Sequence, residues 1–514
     1  SVPGQAYDDG LRFIQFYFGL PLAMIVIAVF FIPMYYKLKV YTAYEFLEQR
    51  FDVKTRTFTA LLFLIQRAFS TGITIYAPSI ILSQLLGWDL NTTVIFIGGI
   101  VTIYILSGGT KAVAVTHKQQ MFVIYVGMFT AFGCLIYYLS EYVSFNESLN
   151  VAGALGKMNI ITTGAESGSF DWSDRYNIIS GLIGGLFLQL SYFGTDQSQV
   201  GRYLGGESVK ESRLGLIFNG LMKVPVQFFI LLTGVLVFVF YQFNQPPVYF
   251  NEVAYTQTKN SIYAEELDRL ETAYLAATDN QTKLNRELAE QKVTADAQQT
   301  EILRNSQEQV NGLRTEINAV IKKANPDIDD DHDYIFMHFV MNYLPIGLVG
   351  LLFAVIFSAS MSSTSSALNG LATTFSVDIY KRFINKNASE QQHLIASKVL
   401  TVLFGAMAIG FALVCSMFDN LIEAVNILGS LFYGTILGIF LTAFLLKRVK
   451  GNAVFIAALL SEAIILYLDF SVRYDWNTPQ LTIGYLWYNV IGCLLVMIFA
   501  TLLSLGNRKP SYTT

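Results

Sequence analysis

Apolar residues come in long unbroken runs along this chain, and polar residues gather in the short segments between them. Runs long enough to cross about 30 Å of hydrocarbon fall at 12–36, 58–86, 92–107, 119–140, 177–200, 214–241, 345–376, 395–416, 421–446, 452–470 and 483–505. The pattern predicts an all-α polytopic membrane protein with about 11 spans. A helix satisfies its own backbone groups, which an isolated strand in lipid cannot do.

One segment breaks the pattern. Residues 250–333 hold 17 Asp/Glu and 9 Lys/Arg, a net charge of −8, while the other 430 residues carry +4. The chain therefore divides into a membrane core at 1–243, an acidic insert at 244–333, a second core part at 334–506 and a tail at 507–514. Inside the insert, Leu267, Leu270, Leu313, Ile317, Val320 and Ile321 recur at helical spacing, which predicts a helical hairpin or short coiled coil. This insert permits a protein contact and equally serves as a spacer. The run Ile328 to Asp333 lacks the spacing of a calcium loop and reads as solvated.

The joining segments set the orientation. Segments such as KLKVYTAYEFLEQRFDVKTR, RYLGGESVKESR, YKRFINKN and LKRVKGN carry Lys and Arg, and they alternate with poorer loops such as GWDLN. Basic loops face the cytoplasm. The expected placement is a plasma (inner) membrane, with the C-terminus cytoplasmic and the insert outside.

Composition agrees with this reading. The chain of 514 residues is 53% hydrophobic and 14% charged, against about 25% charged in soluble domains. That excludes an ordinary soluble enzyme and a nucleic-acid binder. There is no HExxH, P-loop, GxSxG or Cys/His cluster. Cys134, Cys415 and Cys493 lie in apolar runs and read as buried free thiols.

Chemistry enters at FSASMSSTSSALNG, Phe357 to Gly370, where seven hydroxyls fall within ten residues of an apolar span. Ser362, Ser365 and Ser366 share one helix face. Uncharged hydroxyl and carbonyl oxygens suit a monovalent hard cation such as Na⁺, and small residues equally suit close helix packing. Arg67 is the other outlier. A guanidinium deep in a span must face a cavity or a partner. Its planar fork suits a carboxylate, which makes it a reader of an anionic solute or one half of an internal ion pair with Asp196 or Glu423. On the first reading, Arg67→Gln abolishes anion uptake and leaves folding intact.

The segments YTAYEFLEQRF, YAPSIIL, SGGTKAV, DQSQVGRYL and SSALNGLATTFSVDIYKR resemble those of the sodium/solute symporter family, which shares the inverted-repeat fold of the leucine transporter class. TGITIYAPSIILSQLLGW followed by SGGTKAV is most similar to the branch carrying monocarboxylates and vitamins. The resemblance implies a sodium-coupled importer of a small polar solute, a sugar, a sialic acid or another organic anion, working by alternating access. It implies a sodium site at the Ala359 carbonyl and the Ser362 and Ser363 hydroxyls, completed by carbonyls of a first core helix whose break falls at or before Ser1. Complete members would then have about thirteen spans, and this segment alone should not transport.

A second sodium would use Ser365 and Ser366 with an Asp where this chain has His117. That departure speaks against the second sodium and opens a proton-coupled alternative. A solute sensor that keeps the same fold is a further alternative. For the solute, the resemblance points to Tyr192 at mid-membrane and to Lys223; Gln189 lies one turn before Tyr192 on the same face, and Asn426 is a further polar candidate in its span. Tyr17 and Leu20 stand where sugar carriers place a Glu and a Ser, which argues against that mode of holding a sugar. Asp196 and Arg202 are a possible gate pair, and Gly181, Gly184 and Gly185 mark close packing or a helix break.

Overall fold

The computed structural model describes residues 2–38, 40–166, 168–204, 208–290, 297–326, 330–415, 421–473 and 482–505. Among these the regular structure is all helical. The side chains of 107–118, His117 among them, and the tail at 506–514 lie outside the described residues.

The first apolar run is broken rather than straight. Helix α1 (Val2–Asp9) gives way to a 3-10 stretch at Gly10–Tyr17 and then to α2 (Leu20–Val26) and α3 (Ile32–Leu38), joined by a π-turn. The break sits at Gly10, whose φ is +66°, a region favourable only to glycine. A Cβ there would meet the Lys157 carbonyl oxygen at 2.4 Å.

After the short α4 (Glu45–Arg50), Asp52 caps α5 (Val53–Leu86) by accepting from Thr55 N at 2.8 Å. Asp89 caps α6 (Leu90–Leu139) in the same way, and a Ser144–Glu147 capping box starts α7 (Phe145–Ala154). The runs 92–107 and 119–140, expected as two spans, lie on the single helix α6.

The run 177–200 is interrupted by a π-turn at Ser180–Gly184 before α8 (Gly185–Thr195) and α9 (Gln197–Leu204). The glycines explain its path. A Cβ at Gly181 would meet Gln15 O at 2.1 Å, so this helix lies directly on the backbone of the first broken segment.

Helix α10 (Val209–Phe243) crosses next, followed by α11 (Glu252–Lys259), α12 (Ala264–Glu290) and α13 (Ala297–Ala324) of the insert. Lys323 bonds Glu266 at one end and Gln281 bonds Gln307 midway, so α12 and α13 run antiparallel. Leu267, Leu270, Tyr274, Ile317, Val320 and Ile321 form the hairpin's own buried core.

Then come α14 (His332–Tyr343), α15 (Ile346–Thr374), α16 (Glu390–Ala412), α17 (Leu421–Leu445), α18 (Gly451–Arg473) and α19 (Leu486–Leu505). Among the described residues nine helices are long and apolar enough to cross a membrane. Of the eleven runs, 92–107 appears as the shorter apolar stretch Leu90–Leu106, and 177–200 is divided by its π-turn and the break at Asp196.

One sequence expectation fails at 330–333. This acidic segment is not a solvated loop. Asp331 is fully buried, accepts from Phe250 N at 2.6 Å and pairs with Arg314 at 2.6 Å. His332 bridges Asp330 and Asp8. Hydropathy reads these residues as polar, but their charges are matched by partners brought from α1 and α13.

Candidate functional site

A cavity of about 480 Å³ opens among the 3-10 segment, α5, α8, α9, α10, α15 and α17. Tyr17, Arg67, Gln189, Tyr192, Lys223 and Asn426 all line it, although they come from five separate stretches of chain. Arg67 and Lys223 each lie 14 residues past the start of their helix, about 21 Å along it, so both sit near the middle of long apolar helices.

At one end of the cavity Arg67 is engaged. Its Nη2 lies 2.5 Å from Asp196 Oδ2 and donates to Ser198 Oγ at 2.6 Å. Asp196 also accepts from the Tyr433 hydroxyl at 3.0 Å, from Ser198 N at 2.9 Å and from Ser198 Oγ at 2.6 Å. The guanidinium stands 5.5 Å from the Tyr192 ring centroid, and Gln199 holds the Tyr192 hydroxyl at 2.8 Å. Of the two roles expected for Arg67, the geometry shows the internal ion pair. Glu423 is not its partner, since it pairs with Arg175.

Asp196 and Arg202 are not paired with each other. Asp196 ends α8 and turns to Arg67. Arg202, two turns on, donates to Ser366 Oγ at 2.7 Å. Lys223 is exposed on the cavity side, 5.7 Å from the Tyr17 ring centroid, with Asn219 one turn earlier on the same wall.

The serine-rich segment forms the middle of α15. Ser360 donates to Thr74 O at 2.6 Å, and Thr364 and Thr74 share a 2.9 Å hydroxyl contact, which ties α15 to α5. The cavity-lining serines are Ser363 and Ser366, while Ser362 and Ser365 are buried. Of the three serines expected on one face, Ser366 borders the cavity beside Arg202, while Ser362 and Ser365 are closed off from it. Ala359 is half-buried one turn before Ser363. The Arg202 guanidinium puts positive charge on Ser366, one of the two serines the resemblance would give a second sodium.

Sequence reasoning missed Ser198, Gln199, Asn219 and Tyr433 as cavity residues. Ser198 and Gln199 lay within the DQSQVGRYL signature, which was a usable signal. Tyr433 sits in an apolar run with no local mark. The described residues hold no cluster of three His, Cys, Asp or Glu able to bind a metal ion.

The model of the sodium:solute symporter family matches residues 1–264 and 315–461. The chain belongs to the sodium:solute symporter family. It is therefore a transporter and not an enzyme, and sodium is its coupling ion. It is 25% identical to the sodium/sialic acid symporter of Proteus mirabilis, over 98% of this chain and 83% of that protein. It is 24% identical to the sodium-coupled monocarboxylate transporter 1 of Xenopus laevis, over 93% of this chain and 64% of that protein. A solved Na⁺-coupled sialic acid symporter, in a substrate-bound outward-open state, superimposes with a TM-score of 0.70 at 22% identity, over 99% of this chain and 86% of that one.

Proposed function

We propose that this symporter imports a small organic anion, a carboxylate, held in the 480 Å³ cavity. One observation carries the reading. Arg67, Arg202 and Lys223 line the cavity and no Asp or Glu does. Arg67 is neutralised by Asp196 behind the wall, and Arg202 is turned to a serine. Lys223 is left without a carboxylate partner among the described residues. A lone ammonium near mid-membrane is costly unless an anion or water joins it. The role first given to Arg67 thus moves to Lys223. Gln189, Gln199, Asn219 and Asn426 supply amides for the rest of a polar solute, and Tyr192 and Tyr17 supply aromatic faces. The relatives named for sialic acid and monocarboxylates are consistent with a carboxylated solute.

Sodium is bound in this reading by the Ala359 carbonyl with Ser362 and Ser363. Ser363 borders the same cavity as Lys223, so ion and solute share a wall, and each must tighten the other's binding by the same factor. The structure of α9 and α15 favours a single sodium, because Arg202 occupies Ser366. In this reading the hairpin lies outside and the C-terminus in the cytoplasm, which the Lys/Arg content of the alternate loops supports.

The test is uptake of labelled sialic acid, lactate and galactose into proteoliposomes holding the full-length protein, under a sodium gradient and with potassium replacing sodium. Sodium-driven uptake of the acids that falls at least tenfold in Lys223→Met supports the reading. Galactose uptake alone, or acid uptake unchanged in Lys223→Met, overturns it.

A further inference from the structure

The family model leaves residues 265–314, the facing parts of the hairpin, unmatched. Beneath the hairpin lies a second cavity of about 240 Å³, lined from the core by Tyr7, Asp8, Lys157, Phe238 and Gln242 and from the hairpin by Tyr274, Gln281, Gln307, Asn311 and Arg314. It shares no lining residue with the central cavity.

The charges around it are already matched. Arg314 pairs with Asp331, His332 with Asp8 and Asp330, and Lys157 donates to the Asp8 carbonyl at 2.5 Å and lies 4.6 Å from the Phe238 ring centroid. Each basic group stands beside at least one acid, Arg314 by Asp331, His332 by Asp8 and Asp330, and Lys157 by Asp8 and Asp9, so neither an anion nor a cation is favoured.

A chain of amides remains. Gln242 and Gln281 both donate to Gln307 Oε1, at 3.1 and 2.9 Å, and Gln307 donates to Asn311 Oδ1 at 2.9 Å. Gln281 Oε1 and Asn311 Nδ2 have no hydrogen-bond partner among the described residues, and Gln281 and Gln307 each spend one of two N–H groups on the chain, which leaves an acceptor and several donors open along it. Hydroxyls of a polyol both donate and accept, as amides do. At about 30 Å³ per water the cavity holds roughly eight waters, the room of a monosaccharide.

We propose that this cleft is a second binding site, for a small neutral polyhydroxylated solute, built by the hairpin and separate from the transport site. It does not rest on the carboxylate reading above. Because none of its residues belongs to the serine-rich helix, its binding is independent of sodium.

The experiment is calorimetric titration of the full chain in nanodiscs with galactose and with myo-inositol, in sodium and in potassium. At least one probe should bind equally in both salts. Gln281→Leu should weaken that binding tenfold or more. Asn311→Trp, which starts from an exposed side chain and blocks the mouth without unpairing a buried group, should do the same. Asn426→Leu in the central cavity should leave it unchanged, and sodium-driven anion uptake should survive Asn311→Trp. Absence of binding by both probes, binding that needs sodium, or binding that persists in Asn311→Trp would overturn the proposal and leave a cleft filled by water.

Discussion

Arg67 and Asp196, 129 positions apart in sequence, meet at 2.5 Å beside the central cavity, and the Tyr433 hydroxyl closes on the same carboxylate. Both side chains are shielded from solvent. A buried pair of this kind is weak evidence of net stability, but removing one member leaves an uncompensated charge, at a cost of about 3–5 kcal/mol. Arg67→Gln and Asp196→Asn are each expected to lower the melting temperature of the purified protein sharply. The double variant should recover most of the loss. Equal melting of wild type and Arg67→Gln would refute the pairing and return Arg67 to the solute.

The serine-rich helix predicts a separable effect on the ion. Ser363→Ala removes one cavity-facing oxygen and no packing atom beyond it. Half-maximal uptake should need about tenfold more sodium, ~1.4 kcal/mol of lost binding, with the melting temperature unchanged in potassium. Ser365→Ala should leave the sodium dependence as it is if one ion is coupled. A matching sodium shift in that variant would show that Ser365 also serves an ion.

His332 makes the hairpin's attachment sensitive to pH. Burial opposes its charge, but Asp8 and Asp330 more than offset this and push its pKa up to about 10 from 6.5. A pKa raised in the folded state stabilises fully below about 6.5 and loses that contribution as pH rises through about 10. Thermal stability should therefore fall between pH 7 and pH 10, and His332→Gln should flatten that part of the profile. A variant that loses stability as steeply as wild type over this window would remove His332 from the account.

Gly181 predicts the opposite of a functional lesion. A Cβ there would stand 2.1 Å from the Gln15 carbonyl oxygen, and backbone cannot swing aside as a side chain can. Gly181→Ala should cost about 1–3 kcal/mol and appear as reduced yield of folded protein. The surviving fraction should retain its sodium dependence. Normal yield and melting would mean that the two segments lie further apart than they do here.

Much of this protein was legible in order along the chain. Apolar runs are desolvation signals read residue by residue, so they marked the helices of the membrane core. The periodic leucines and isoleucines of the insert marked its two helices, whose apolar stripes then pair as Leu267, Leu270, Ile317 and Ile321. The hydroxyl-rich stretch of α15 and the family signatures were also local. Tyr17, Arg67, Gln189, Tyr192, Lys223 and Asn426 line one cavity, and apart from Gln189 and Tyr192, one turn apart on α8, no spacing along the chain announces that they meet.

What the sequence alone determined, then, was which segments leave water and which residues are chemically out of place there. Only the tertiary structure decided what each misplaced residue meets. Arg67 and Lys223 look alike on their helices, each 14 residues in. One is neutralised by an aspartate at the end of α8, and the other faces open space across from Tyr17. Asp331 reads as solvated until α13 brings Arg314 to it and α1 brings Asp8 to its neighbour His332. The reason is that hydropathy is a property of one residue against its solvent, whereas the energy of a buried charge depends on a partner within a few ångströms. Packing across the whole chain sets that partner.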